Sequence, residues 1–392
     1  MTAPLFVIGG RKMDFNINEE QKMILKVVRE FTEKEIEPIA AKIDETGEFP
    51  RESIKKMAKL NMLGIPFPLE CGGAGQNELV FSMCIEEIAK HCASTAAILA
   101  VHNIPCWIIE KYGTDYQKEK YLYDLVKGNK IGAFALTEPN AGTDSASQNT
   151  KAIKQGDNYI LNGQKCFITN GGEAGVYIVF GMTDKSKGTR GITGFIIEKD
   201  HPGFYIGKKE NKMGIRASST SELIFKNCVI PKENMIGKEG RGFKIAMQAL
   251  DGGRIAMASQ AVGIAQGAMD RTVDYLKERE QFGRPLSSFQ GLQWMLADME
   301  TRINASRLLV QKAAVKFDNG ENVNKDAAMA KLFAAETAMD VTIKAVQLHG
   351  GYGYMKDYPL ERMMRDAKIT EIYEGTSEVQ KMVISKNILD KR

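Results

Sequence analysis

The sequence predicts an α+β protein in three parts: an N-terminal helical domain (residues 13–130), a middle antiparallel β-domain (131–240) and a C-terminal four-helix bundle (241–392). Three observations carry this. Apolar residues recur at helical spacing up to about residue 126, short β-rich runs separated by Gly and Asn turns fill 151–225, and long helical periodicity returns after Gly242. At 392 residues the chain exceeds one compact core.

The first helix opens on Asn18-Glu19-Glu20-Gln21, which has the form of a capping box, with Met23, Ile24, Val27, Val28 and Phe31 following on one face. Further helices are predicted over 51–60, 79–100 and 117–126. The glycines of 71–75 suggest a phosphate loop, but no strand precedes them and no Gly-Lys-Ser/Thr follows, so they read as a turn. Strands are predicted at 151–153, 159–161, 176–180, 194–197 and 222–225, forming a small barrel or sandwich, with residues 167–172 closing a hairpin. No Gly-x-Gly-x-x-Gly follows a strand, which disfavours a Rossmann site. Long helices over 243–280, 290–317 and 325–348 lead into a final charged segment.

Composition excludes several classes. Hydrophobic residues make up 43% and charged residues 26%, with no long apolar run, so the chain reads as a globular protein with no membrane partner. A net charge of +4 is too small to argue for nucleic acid. Six cysteines without Cys-x-x-Cys spacing and four histidines without metal spacing leave no expected disulfide framework or metal site. Residues 1–12 lack a signal-peptide core and are read as a tag or extension, with a cytoplasmic location.

The chemistry concentrates near the C-terminus. Glu374 precedes Gly375-Thr376-Ser377-Glu378, where Thr376 and Ser377 are good N-caps for a new helix. A carboxylate beside amide donors can take a proton from carbon while a nearby oxyanion is stabilised, although the same residues also make an ordinary capped helix after a loop acid. The turns PheAlaLeuThrGluPro (134–139) and PheIleThrAsnGlyGly (167–172) offer aromatic and hydroxyl groups to a flat ligand, or are simply well-made turns.

Together these segments resemble the acyl-CoA dehydrogenase family over residues 14–392. ALTEPNAGTD (135–144) is similar to that family's first signature, and QLHGGYGY (347–354), with Asp357, Arg362 and Asp366, to its second. IYEGTS (372–377) adds a third point of likeness, and the short-chain, butyryl-CoA-type members are the most similar subclass. The resemblance implies an FAD enzyme that removes hydrogens from Cα and Cβ of an acyl-CoA, with Glu374 as the α-proton base and electrons leaving to an electron-transferring flavoprotein. It implies FAD contacts at Phe134, Leu136, Thr137, Gly142, Thr143, Phe167, Ile168, Thr169, Arg279, Phe282, Gln290, Gln347, Gly350, Gly351, Thr376 and Glu378, some of them reaching a neighbouring subunit of a homotetramer. Substrate contacts are implied at Thr143, Asp251, Arg254 and Gly375.

Many relatives carry Trp where this chain has Phe167. Relatives of isovaleryl and long-chain type place their base at the position of Gly252–Arg254, where this chain has no acid. Ala96, Ala97, Ala100, Pro105 and Trp107 are expected near the closed end of the acyl pocket, with Pro105 and Trp107 obstructing long chains. The alternative is an enoyl-CoA reductase running the same chemistry backwards on crotonyl- or acrylyl-CoA in an electron-bifurcating complex. An oxidase and a catalytically silent helical scaffold are the other readings.

Overall fold

The computed structural model describes residues 6–8 and 11–390. The expected extension over 1–12 lies largely outside them; Phe6–Ile8 (β1) pairs antiparallel with Arg11–Met13 (β2). Helix α1 (Glu19–Phe31) carries the expected capping box: Asn18 Oδ1 accepts from Gln21 N at 2.9 Å and Gln21 Oε1 accepts from Asn18 N at 3.0 Å. A π-turn (Thr32–Ile36) leads into α2 (Glu37–Thr46), and α3 spans Arg51–Lys59.

The single helix expected over 79–100 is two. Helix α4 (Glu78–Ala89) stops before Cys92, and α5 (Ala93–Tyr112) runs on through Pro105. Apolar residues fill both helices almost all round, so periodicity does not reveal the break. Short helices α6 (Asp115–Gln117) and α7 (Tyr123–Val126), joined by a π-turn, close this region.

An eight-stranded sheet follows, built from β3 (Gly132–Ala135), β4 (Lys151–Gln155), β5 (Asn158–Thr169), β6 (Val176–Met182), β7 (Ile192–Glu198), β8 (Phe204–Lys209), β9 (Thr220–Pro231) and β10 (Met235–Ile236). Most pairings are antiparallel, but β3 runs parallel to β6 along its whole length. Residues 167–172 do not close a hairpin, because β5 pairs with β4 and β9 while β6 pairs with β7 and β3. Along β6, Val176, Ile178 and Phe180 face one core with helices α5 and α7, while Tyr177 and Val179 face a second core inside the curled sheet. This is the strand period of two with both faces buried.

The bundle begins with α8 (Gly242–Glu278), passes a two-residue ladder of β11 (Glu280–Gln281) and β12 (Arg284–Pro285), and continues with α9 (Gln290–Asp318) and α10 (Asn324–His349). Its fourth member is divided into α11 (Leu360–Ile369) and α12 (Ser377–Leu389). The gap between them contains Glu374. Glycines bring α4 onto α8: a Cβ on Gly263 would stand 2.3 Å from Glu86 O, and one on Gly267 2.2 Å from Lys90 O. Only residues without side chains let the two backbones approach so closely.

Candidate active site

Glu374 sits in the turn that interrupts the fourth bundle helix, and its backbone is left-handed at φ 55°, followed by Gly375 at φ 94°. A non-glycine residue there costs about 1–2 kcal/mol, so the surroundings must hold it. Gln380 Nε2 donates to Glu374 O at 3.1 Å and to Gly375 O at 2.8 Å, and Lys331 Nζ donates to Gly375 O at 2.7 Å. Tyr373 Oη donates to Gln260 Oε1, and Gln260 Nε2 in turn to Ala93 O at 2.9 Å. Thr376 caps α12, its Oγ1 accepting from Val379 N at 3.3 Å.

The Glu374 carboxyl carries an unsatisfied oxygen, as do its neighbours Gln380, at Oε1, and Ser377, at Oγ. Its Oε2 is buried with no hydrogen-bond partner, and burial pushes its pKa up to about 7 against the opposing pull of Arg254 and then Lys331. A Cβ placed on Gly253 would lie 3.0 Å from Glu374 Oε2 and 3.2 Å from Ile104 Cδ1. The position where an alternative base was considered is therefore the glycine that makes room for this one.

Gly253 also lines a cavity of about 1010 Å³. Helix α5 presents Ala100, Asn103, Ile104 and Trp107 to it at a spacing of three and four, with Phe81 from α4, Ala256 from α8, Phe317 from the end of α9, and residues 320–323 from the turn before α10. Part of the expected pocket end is corrected. Ala96 and Ala97 are fully buried and do not line the cavity. Pro105 faces strand β3, where a Cβ on Gly132 would meet its ring at 3.1 Å, so it cannot limit chain length. His102, beside it, accepts from Gly132 N at 3.0 Å, and burial lowers its pKa to about 4. Trp107 does line the cavity, packed on Phe317 at 6.1 Å.

Asp251 lines the same cavity and pairs with Arg254 at 2.8 Å, while also accepting from Asn324 Nδ2 at 2.9 Å. Arg254 is buried, with its Nε unpaired among the described residues.

The first two turns meet at the edge of the sheet. Cys166 N donates to Thr137 O at 3.0 Å, which sets Phe167, Ile168 and Thr169 beside residues 134–143. Lys165 is buried behind them, with Nζ donating to Leu136 O at 3.0 Å, Glu138 Oε1 at 2.8 Å and Gln148 Oε1 at 3.0 Å. Phe134 packs edge-on against Phe180 and Ile168 is core, while Thr143 is exposed and Phe167 is 65% exposed with φ 57°. A Cβ on Gly142 would meet nothing within 4 Å.

A second cavity of about 790 Å³ gathers Arg279, Gln347, Gly350 and Gly351 with Tyr275 and Tyr352. Both glycines face open space, and the Arg279 guanidinium lies 5.7 Å from the Tyr352 ring centre. Phe282 and Gln290 do not line it; Phe282 is 93% exposed at φ 55°, and Gln290 is an exposed first residue of α9. Glu378 is exposed in the first turn of α12, with its carboxyl held below the usual range by hydrogen bonds to its own N–H and to Thr376.

Lys331 and Gln380 are the site residues that sequence reasoning missed. The signal for Lys331 was present: it is a lone cation within AlaAlaMetAlaLysLeuPheAlaAla (327–335), on a helix whose neighbouring alanines are buried.

An acid with an orphaned oxygen, against a helix glycine that lines a cavity, is an arrangement that can take a proton from carbon. Sequence comparison agrees: residues 18–129, 133–228 and 240–389 match the N-terminal, middle and C-terminal domains of acyl-CoA dehydrogenase. The chain belongs to the acyl-CoA dehydrogenase family. It is thereby a flavin-dependent oxidoreductase. It is 59% identical to a short-chain specific acyl-CoA dehydrogenase of Clostridium acetobutylicum, over 96% of this chain and 100% of that one. It is 53% identical to an acryloyl-CoA reductase (NADH) of Anaerotignum propionicum, over 97% of each. A solved chain from work on the electron transferring flavoprotein of Acidaminococcus fermentans and flavin-based electron bifurcation superposes with a TM-score of 0.95 at 51% identity, covering 96% of this chain and all of that one.

Proposed function

We propose that this enzyme converts a short-chain acyl-CoA to the trans-2-enoyl-CoA with FAD as oxidant, and passes the electrons to an electron-transferring flavoprotein. The observation that carries the reading is the buried, unpartnered Glu374 carboxylate next to Gly253 at the cavity wall. In its ionised form it takes the α-proton. An α-proton of a thioester is weakly acidic, so a base tuned to about 7 suits the task better than an ordinary carboxylate. The Glu374 N–H has no acceptor among the described residues, which supports its role as donor to the thioester carbonyl while negative charge develops there.

The residues present fit FAD. Gly142, Gly350 and Gly351 leave open space at their Cα atoms, and Phe167 offers an exposed aromatic face. Phe134 to Thr143 and Phe167 to Thr169 would flank the isoalloxazine, with Thr376 and Glu378 completing the site. Arg279, Gln347 and the glycines of the second cavity would hold a pyrophosphate, supported by a guanidinium among backbone donors. FAD, held there, would supply the acceptor for the hydride that leaves Cβ. Arg279, Gln290 and the Gln347 loop serve a neighbouring subunit's cofactor in a homotetramer, a reading supported by the exposure of Phe282 and Tyr354 nearby, at 93% and 79%. Asp251 and Arg254 orient the CoA arm from the cavity side, and Thr143 and Gly375 contact the thioester.

Among the described residues no helix is long and apolar enough to cross a membrane. A cytoplasmic location is supported by six free thiols, which suit a reducing compartment.

A second reading, reduction of an enoyl-CoA through the same site, is favoured by the likeness to the acryloyl-CoA reductase and to the bifurcation-related structure. Flavin bleaching without oxygen, with acyl-CoAs of three to eight carbons, tests the main reading. Each methylene adds about 0.8 kcal/mol of binding while there is room, and an overpacked one costs about 1–3 kcal/mol. The rate constant is expected to peak at butyryl-CoA, with Trp107 and Phe81 as walls. A maximum at octanoyl-CoA contradicts it. Reoxidation of the reduced flavin by crotonyl- or acrylyl-CoA faster than bleaching by the saturated partners gives the second reading.

A further inference from the structure

Lys331 carries a charge where a helix face is otherwise alanine. It is 1% exposed on α10, between buried Ala327, Ala330 and Ala334. Burying an ammonium costs several kcal/mol unless something compensates. No carboxylate lies within ion-pair distance of it among the described residues; its hydrogen bond goes instead to the carbonyl of Gly375 at 2.7 Å. A lysine placed only for stability would be better served by methionine.

Two other groups divide the work differently. Arg254 also faces Glu374, but its guanidinium is bound by Asp251 at 2.8 Å and makes no hydrogen bond to the turn. Gln380 grips the carbonyl of Gly375 together with that of Glu374, as a neutral amide. Among the described residues, Lys331 alone combines positive charge with a direct hydrogen bond to the strained Glu374–Gly375 turn.

We propose that Lys331 is a positioning residue of this active site: its buried ammonium holds the left-handed turn that aims Glu374, and keeps that carboxylate ionised for use as a base. This rests on the reading of Glu374 as the base. Removing the cation leaves burial opposed by Arg254 alone, so the carboxyl must bind its proton more tightly. The charged and titratable groups around the pair are Arg254 and Asp251 from α8, Tyr373 and Glu371 before the turn, and Glu378 from α12. Ile104 brings an apolar wall from α5.

The test compares the holoenzyme with Lys331→Met, Lys331→Arg and Gln380→Leu, following flavin bleaching by butyryl-CoA without oxygen from pH 5 to 9. In the wild type the rate climbs as Glu374 ionises, around pH 7. Lys331→Met is expected to move that rise to higher pH and to lower the plateau roughly 10- to 100-fold, the scale for displacing a reacting group by about 1 Å. Lys331→Arg should return the rise to its original position. Gln380→Leu should lower the plateau without moving it, since no charge is lost. The Glu374 carboxyl band, isolated by infrared difference against Glu374→Gln, reports the same shift without turnover.

An unshifted rise and a normal plateau in a folded, FAD-replete Lys331→Met overturn the proposal. If that variant does not fold, Lys331→Gln, which can still donate to Gly375 O, must show the shifted rise; a wild-type profile overturns the proposal equally. An active Glu374→Gln is the separate result that removes the base itself.

Discussion

The turn holding Glu374 and the corner holding Arg279 are both built around left-handed residues, yet they are finished in opposite ways. At the Glu374 turn the carbonyls of Glu374 and Gly375 are bound by buried side chains of the same chain, Gln380 and Lys331. Near Arg279, Phe282 reaches into solvent at 93% exposure with its own φ at 55°, and the two loop glycines face open space. The chain therefore finishes the Glu374 turn with its own side chains and leaves the Arg279 corner open. A strained residue persists when its surroundings over-determine it. Glu374 has such surroundings within the chain, whereas Phe282 has the Phe289 ring beside it and is otherwise exposed; under the proposed function a ligand or a second copy covers it.

Several changes sharpen or break that contrast. Arg279→Ala should have the largest effect on the open corner. Loss of charge-assisted hydrogen bonds worth about 1.5–3 kcal/mol weakens FAD retention roughly 10- to 150-fold. Gel filtration read at the flavin absorbance checks it, and full occupancy at an unchanged elution volume contradicts a shared cofactor site.

Gly253→Ala acts on the closed site. Its methyl would stand 3.0 Å from Glu374 Oε2 and 3.2 Å from Ile104 Cδ1. Bleaching should slow roughly tenfold, as overpacking by one methyl costs about 1–3 kcal/mol. FAD content should be unchanged. Partial loss of FAD with a normal bleaching rate for the flavin that remains would reverse the assignment of the two regions.

The smallest effect is on stability. The Glu374 pKa is raised from 4.5 to about 7, so between those values the folded state holds a proton that the unfolded chain releases. Wild-type stability from this group is therefore lost as pH rises through that window, and Glu374→Gln escapes the loss. Its Tm should exceed the wild type's by a few degrees at pH 8, on the scale of about 1–3 kcal/mol, and match it near pH 4. Equal melting at both pH values would mean that the carboxyl is solvated.

The three-part order and the bundle helices were legible because their periods of two and 3.6 persist over many residues. The signatures around Thr137, Gly350 and Glu374 were legible through the family resemblance, since as turns alone they also read as well-made turns and an ordinary capped helix. What stayed hidden was set by contacts distant in sequence. The break at Cys92 lies within a run apolar on every side, and β3 joins the sheet in parallel register through β6. Pro105 turned out to serve the helix–sheet contact at Gly132 rather than the pocket, and no local pattern distinguishes those uses. Lys331 was visible as a lone charge among alanines, but only the returning chain at Gly375 gives it a partner.

The central claim is that Glu374 is the base, and Glu374→Gln tests it most directly. Mixed with butyryl-CoA in the absence of oxygen, the variant should keep its FAD, still bind the thioester, and bleach roughly 10²- to 10⁴-fold more slowly than the wild type at pH 8. Bleaching at close to the wild-type rate would place the base elsewhere and contradict the account.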